Sequence, residues 1–109
     1  MTVSPYQAMW LFALFDLPVD TPKNRKQYTR FRKVLLKDGF AMLQYSVYAR
    51  FCGSEESAAA HRAVVRNQIP ALGQVRLLTT TDHQFGKMEV YLGKSREAPE
   101  APMLQLELF

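Results

Sequence analysis

Met9-Trp10-Leu11-Phe12-Ala13-Leu14-Phe15-Asp16 is followed at once by Leu17-Pro18. A short unbroken apolar run stopped by proline fits a fully buried strand better than a helix. Side chains alternate along a strand, so Trp10, Phe12 and Leu14 share one face and Met9, Leu11, Ala13 and Phe15 the other. Both faces need cover, which makes this strand a central one. Asp16 falls at its C-terminal end, where a carboxylate either closes an Asx-turn over Leu17-Pro18 or serves as a ligand.

Working outward, Asp20-Thr21-Pro22 is a helix start, with a capping side chain followed by proline where its missing N–H costs nothing. The spacing predicts a helix to Asp38, stopped by Gly39, with Tyr28, Phe31, Val34 and Leu35 on the core face. Lys23, Lys26, Arg30, Lys33 and Lys37 form a second stripe, about 120° around the cylinder. From Ala41 to Phe51 the period changes to two, which fits one bent strand or a hairpin. Ser54-Glu55-Glu56 opens a second helix that ends near Gln68-Ile69-Pro70. A strand over Gln74–Thr80, a connection over Asp82–Lys87 and a strand over Met88–Leu92 follow, closed by Gly93. The order is β-α-β-β-α-β, an α+β ferredoxin-like sandwich with an additional C-terminal strand. The domain spans residues 1–93; residues 94–102 carry two prolines and read as a linker, and residues 103–109 read as a docking strand, alternating Leu104, Leu106 and Leu108 with polar residues. Helices on one side leave the other sheet face open, and a second copy is the simplest cover, so a homodimer is expected.

At 109 residues, 48% hydrophobic and 22% charged, the chain is sized for one globular domain. One cysteine excludes an intrachain disulfide framework and a cysteine-based zinc site, and fits a reducing cytoplasm. The apolar run is too short to span a bilayer, and no basic leader precedes it, so neither secretion nor a membrane role is expected. The net charge of +4 is unevenly placed: seven of the 14 basic residues lie between Lys23 and Lys37. Such clustering points to a phosphate backbone. His61, His83 and Cys52 lack ligand or nucleophile spacing and read as packing or surface residues.

Phe15-Asp16-Leu17-Pro18-Val19, Tyr28-Thr29-Arg30-Phe31-Arg32-Lys33 and Gly39 to Arg50 (Gly-Phe-Ala-Met-Leu-Gln-Tyr-Ser-Val-Tyr-Ala-Arg) together resemble the small ferredoxin-like CRISPR-associated protein of the adaptation, or spacer acquisition, module. The likeness runs from about Met9 to Gly93, including Ile69-Pro70, Gly73 to Arg76 and Thr79 to Gln84, and looks like the type II form. The resemblance implies a homodimer whose sheets face each other, with integrase dimers bound at its ends and a prespacer DNA duplex lying across the assembly. It further implies a magnesium-dependent endonuclease acting on RNA or DNA, with Asp16 as catalytic and metal-binding residue and one Mg²⁺ shared by the two copies of Asp16. The terminal strand of Leu104, Leu106 and Leu108 would dock on a partner subunit. The first reading is thus an adaptor that holds duplex DNA without sequence preference, through Lys23, Lys26, Arg30, Lys33 and Lys37, and carries a metal-dependent endonuclease activity; the alternative is a stand-alone magnesium-dependent endoribonuclease. A ferredoxin-like RNA-binding module fits less well, because the sheet lacks the usual aromatic motif.

Overall fold

A computed structural model describes residues 4–98. The elements are β1 (Met9–Asp16), α1 (Pro22–Lys37), β2 (Ala41–Gln44), β3 (Val47–Cys52), α2 (Glu55–Arg66), β4 (Gln74–Thr81), α3 (Asp82–Gly86), β5 (Val90–Leu92) and β6 (Ser95–Glu97). The first four strands, β1 to β4, form an antiparallel sheet in the order β2-β3-β1-β4. That is the ferredoxin-like arrangement, with β1 central as its two apolar faces require.

The helices start and stop where local chemistry sets them. Thr21 caps α1, its hydroxyl accepting from the Asn24 N–H at 3.1 Å, and Pro22 occupies the first turn. At the other end Gly39 takes φ +93°, Gly39 N–H bonds to Leu36 O and Phe40 N–H to Leu35 O. These paired bonds form a Schellman close, and the buried Leu35 and Phe40 supply its apolar contact. Ser54 caps α2 by accepting from the Ser57 N–H at 3.0 Å, with Glu55 and Glu56 in the positive first turn.

Leu11, Ala13 and Phe15 of β1 meet Phe31 and Leu35 of α1 and Ala58 and Val65 of α2, with Tyr48 and Cys52 of β3 completing the main core. On the opposite face Trp10, Phe12, Ala49 and Phe85 form a second, smaller core. Here the structure departs from expectation. Asp82–Gly86 is not a plain connection but the short helix α3, closed at its start by a capping box between Thr81 and Gln84. Its Phe85 stacks on Trp10 at 3.9 Å between ring centroids, and Trp10 Nε1–H donates to the buried Asp82 Oδ1 at 2.7 Å. So α3 covers the Met9 end of the face expected to be open. The Asp16 end stays bare: Leu78, paired with Phe12, is 53% exposed, and Leu14 and Val47 are only half-buried.

The stretch Ala41–Phe51 is a hairpin, turning at Tyr45-Ser46 with Ser46 at φ +61° and a register shift between Met42 and Gln44. The later strand is shorter than expected. Val90–Leu92 pairs with Ser95–Glu97, so part of the compositional linker is a strand, and the two form a separate two-stranded sheet. Leu104, Leu106 and Leu108, the expected docking strand, lie outside the described residues. Among the described residues no helix is long and apolar enough to cross a membrane.

Candidate functional site

Helix α1 packs by Phe31 and Leu35, so its opposite side is turned outward, and Lys23, Lys26, Arg30, Lys33 and Lys37 are all exposed on it. At a rise of about 1.5 Å per residue the stripe runs about 20 Å. Among the described residues the one ion pair is His61 with Asp38, so none of the four stripe lysines is neutralised by a carboxylate. They face water without an acidic partner among the described residues. The five basic residues are not equivalent, however. Arg30 donates from Nη1 to Gln68 Oε1 at 2.9 Å and from Nη2 to the Gln68 carbonyl at 3.1 Å. Its guanidinium therefore also braces α1 against the end of α2, a role that sequence spacing does not reveal. Of the two arginines outside the stripe, Arg32 Nε donates to the buried Tyr48 hydroxyl at 2.8 Å and Arg25 Nη1 to the Val19 carbonyl at 3.1 Å.

Asp16 stands exposed at the C-terminal end of β1, opposite Gln74 of β4. Among the described residues its carboxylate accepts no hydrogen bond, so the Asx-turn over Leu17-Pro18 does not form. A shallow hollow of about 200 Å³ on the bare end of the sheet is lined by Leu14, Asp16, Gln74 and Arg76. Arg76 is placed there by register, opposite Leu14, and does not pair with the carboxylate within 4.0 Å. The backbone of Asp16 is held by a close approach. A Cβ at Gly73 would lie 2.7 Å from the Asp16 carbonyl oxygen and 2.7 Å from Leu17 Cδ2, and Gly73 itself sits at φ +95°. Only glycine lets the α2–β4 loop pass so near the end of β1.

Magnesium accepts one or two carboxylates and keeps several waters. Among the described residues no group of three His, Cys, Asp or Glu side chains converges, so one copy offers the single carboxylate of Asp16. A single exposed carboxylate beside a hollow falls within that donor count.

Other titratable residues have settled roles. His61 Nδ1 lies 2.8 Å from Asp38 Oδ2, tying α2 to the end of α1, while Arg50 Nε donates to the Asp38 carbonyl at 2.7 Å. His83 packs against Tyr6 with ring centroids 4.4 Å apart and the rings tilted by 31°. Cys52 is buried, and burial pushes its thiol above the ordinary range. Sequence reasoning missed Gln74 and Arg76 beside Asp16, because only the β1–β4 register brings them there. It also missed Tyr45, 73% exposed at the hairpin tip and stacked at 6.0 Å on Tyr28.

Residues 9–88 match the family model described as CRISPR associated protein Cas2. The chain is 55% identical over 101 residues to "CRISPR-associated endoribonuclease Cas2" of Parvibaculum lavamentivorans, covering 93% of this chain and 100% of that protein. It is 45% identical over 107 residues to the protein of the same name from Flavobacterium psychrophilum, covering 98% and 93%. A third relative, "CRISPR-associated endoribonuclease Cas2 2" of Rhodospirillum rubrum, is 41% identical over 108 residues, covering 95% and 96%.

Proposed function

The chain belongs to the Cas2 family of CRISPR-associated proteins, and from that premise we propose that it acts in spacer acquisition as a homodimeric adaptor, holding duplex DNA and bridging integrase subunits. The observation that carries this reading is the row of exposed lysines on the outer side of α1, none of them paired with a carboxylate among the described residues. Such a row meets phosphates, carries no base-edge readout and so grips DNA regardless of sequence. The bare end of the sheet, with Leu14, Val47 and Leu78, is the surface on which the second copy sits. The C-terminal segment with Leu104, Leu106 and Leu108 docks as an added strand on a partner chain.

A second activity, magnesium-dependent endonucleolytic cleavage, is favoured by the free carboxylate of Asp16 and by the endoribonuclease names of the relatives. Asp16 from each copy would hold one Mg²⁺. When bound, that ion supplies a water of lowered pKa and polarises a phosphodiester. The protein's own part is to fix Asp16 through the Gly73 approach and to set Arg76 beside it, where a guanidinium stabilises phosphate charge.

The test is spacer integration reconstituted with the partner integrase, comparing wild type with Asp16→Ala, with cleavage assayed in parallel with and without Mg²⁺. Integration that survives while cleavage vanishes assigns the adaptor role to the fold and the nuclease role to Asp16. Loss of integration with dimerisation and duplex binding intact would overturn the adaptor reading in favour of chemistry at Asp16.

A further inference from the structure

The ladder between β1 and β3 ends at Leu14 opposite Val47, two residues short of Asp16. One further bond carries it outward: the Phe15 N–H donates to the Ser46 carbonyl at 3.1 Å. Ser46 belongs to the hairpin turn and, among the described residues, is the one non-glycine residue with a positive φ, +61°. That conformation crowds Cβ against the backbone, and serine keeps it where the surrounding structure holds it there.

What holds it is on α1. The Ser46 and Tyr28 hydroxyls lie 3.4 Å apart, partly buried. The Tyr28 ring packs on Phe15 with centroids 5.9 Å apart and stacks on Tyr45, the neighbour of Ser46, at 6.0 Å. Tyr28 thus touches both residues of the turn and the strand residue to which the turn is bonded. Phe15 is fixed in its own right, its ring buried against Phe31 and Tyr48. Side chains alternate along β1, so with Phe15 aimed at α1 the Asp16 carboxylate is turned to the other face, where Gln74 and Arg76 lie. On the β4 side the Gly73 approach confines the Asp16 carbonyl; on the β3 side the Ser46 carbonyl holds the amide one residue before it. A turn with no other duty is served better by glycine at such a φ. Serine is less favourable there, but its hydroxyl gives Tyr28 a group to pin, and the carbonyl beside it then does not swing.

We infer that Ser46, pinned by Tyr28, is a positioning residue for Asp16, holding the end of β1 so that the carboxylate meets a divalent cation in one orientation. The inference rests on the nuclease reading above and names what aims its carboxylate. A metal ligand has to be placed within about 0.5 Å, and residues that orient a ligand without touching the ion change affinity or activity by about 10- to 100-fold when lost.

The full chain and its Ser46→Gly, Ser46→Asn, Tyr28→Phe and Asp16→Asn variants are compared by Mn²⁺ binding, read from water-proton relaxation, by RNA cleavage with Mg²⁺ and by thermal melting. Glycine relieves the backbone while losing the hydroxyl, so Ser46→Gly should melt no lower than wild type. It should nonetheless bind Mn²⁺ about tenfold more weakly and cleave with a kcat about tenfold lower. Its KM for RNA should not change, because the phosphates lie on α1. Tyr28→Phe, which removes the pinning hydroxyl and keeps the ring, should weaken Mn²⁺ binding in the same direction. Asparagine tolerates the left-handed conformation and keeps a hydrogen-bonding side chain, so Ser46→Asn should recover most of both losses. Wild-type Mn²⁺ affinity and kcat in Ser46→Gly overturn the inference. A loss in that variant that comes with a lower melting temperature and is not recovered by asparagine also overturns it, since Ser46 would then serve the fold alone. Where wild type binds Mn²⁺ no better than Asp16→Asn and cleaves no RNA, the nuclease reading falls and this inference with it.

Discussion

Replacing Lys26 and Lys33 by alanine tests whether the lysine row of α1 carries the DNA. Both side chains are exposed and lack carboxylate partners among the described residues, so their removal breaks no ion pair of the fold. Surface substitutions of that kind change stability by no more than about 0.5 kcal/mol. Binding is another matter. Each phosphate neutralised on duplex DNA contributes about −0.9 to the slope of log K against log salt. Four free lysines, with Arg30 counted as bracing Gln68, give a slope of about −3.6 per engaged protomer, and the double variant should fall to about −1.8. Between 50 and 200 mM salt that difference amounts to about tenfold in affinity. The assay is anisotropy of a labelled blunt duplex at four or five salt concentrations, with the melting temperature of both proteins measured alongside. A slope unchanged within error, from a variant that melts like wild type, would refute the reasoning and move the duplex to another surface.

Asp16→Asn should abolish magnesium-dependent RNA cleavage with no shift in the melting curve, since among the described residues the carboxylate accepts no hydrogen bond and forms no ion pair; cleavage at wild-type rate would remove Asp16 from the chemistry. Gly73→Ala should cost about 2 kcal/mol or more in urea unfolding, because a Cβ would meet the Asp16 carbonyl at 2.7 Å and φ +95° suits glycine alone; it should weaken cleavage as well. Trp10→Phe keeps an aromatic ring over Phe85 but strips Asp82 of its donor, a loss of about 2 to 3 kcal/mol by circular dichroism. Adding Asp82→Leu should then destabilise by less than the sum of the two single changes, because no buried carboxylate remains to be satisfied. Burial holds the Cys52 proton more tightly in the folded than the unfolded chain. The stability from it is complete below the ordinary thiol pKa of about 8.5 and fades as pH rises through the raised value. The urea midpoint should therefore fall above that pH, and Cys52→Ala should flatten the decline.

What the sequence makes legible is what is local. The caps of α1 and α2 are written in Thr21-Pro22, Gly39 and Ser54, and the double-faced apolar run of β1 announces a central strand. The hairpin between β2 and β3 is not announced, because Ser46 adopts φ +61° without the glycine or asparagine that usually marks such a turn. Helix α3 is too short to show a period, and it becomes visible only when Phe85 lands on Trp10, 75 positions earlier in the chain. Gly93 reads as the end of a strand but sits, at φ +62°, in the turn between β5 and β6. The two prolines beyond it colour the composition of Ser95–Glu97 and hide its pairing. The same division runs through the candidate site. Asp16 and the lysine row can be picked out by position along one element. Arg76, Gln74 and the Gly73 approach depend on β1 lying against β4, a long-range pairing that spacing does not encode.

Helix α3 shields one end of the second sheet face and leaves the other bare, and Asp16 is at the bare end. Under the proposed pairing, the surface that joins two copies and the carboxylates that bring in the ion then lie on the same ground. Phosphate binding by α1 needs only one chain, whereas the nuclease centre needs two. At concentrations below the dimer dissociation constant, the rate of cleavage should therefore grow as the square of the protein concentration, while occupancy of the lysine row grows linearly. Dilution would then cut the rate of cleavage more steeply than the occupancy of the lysine row.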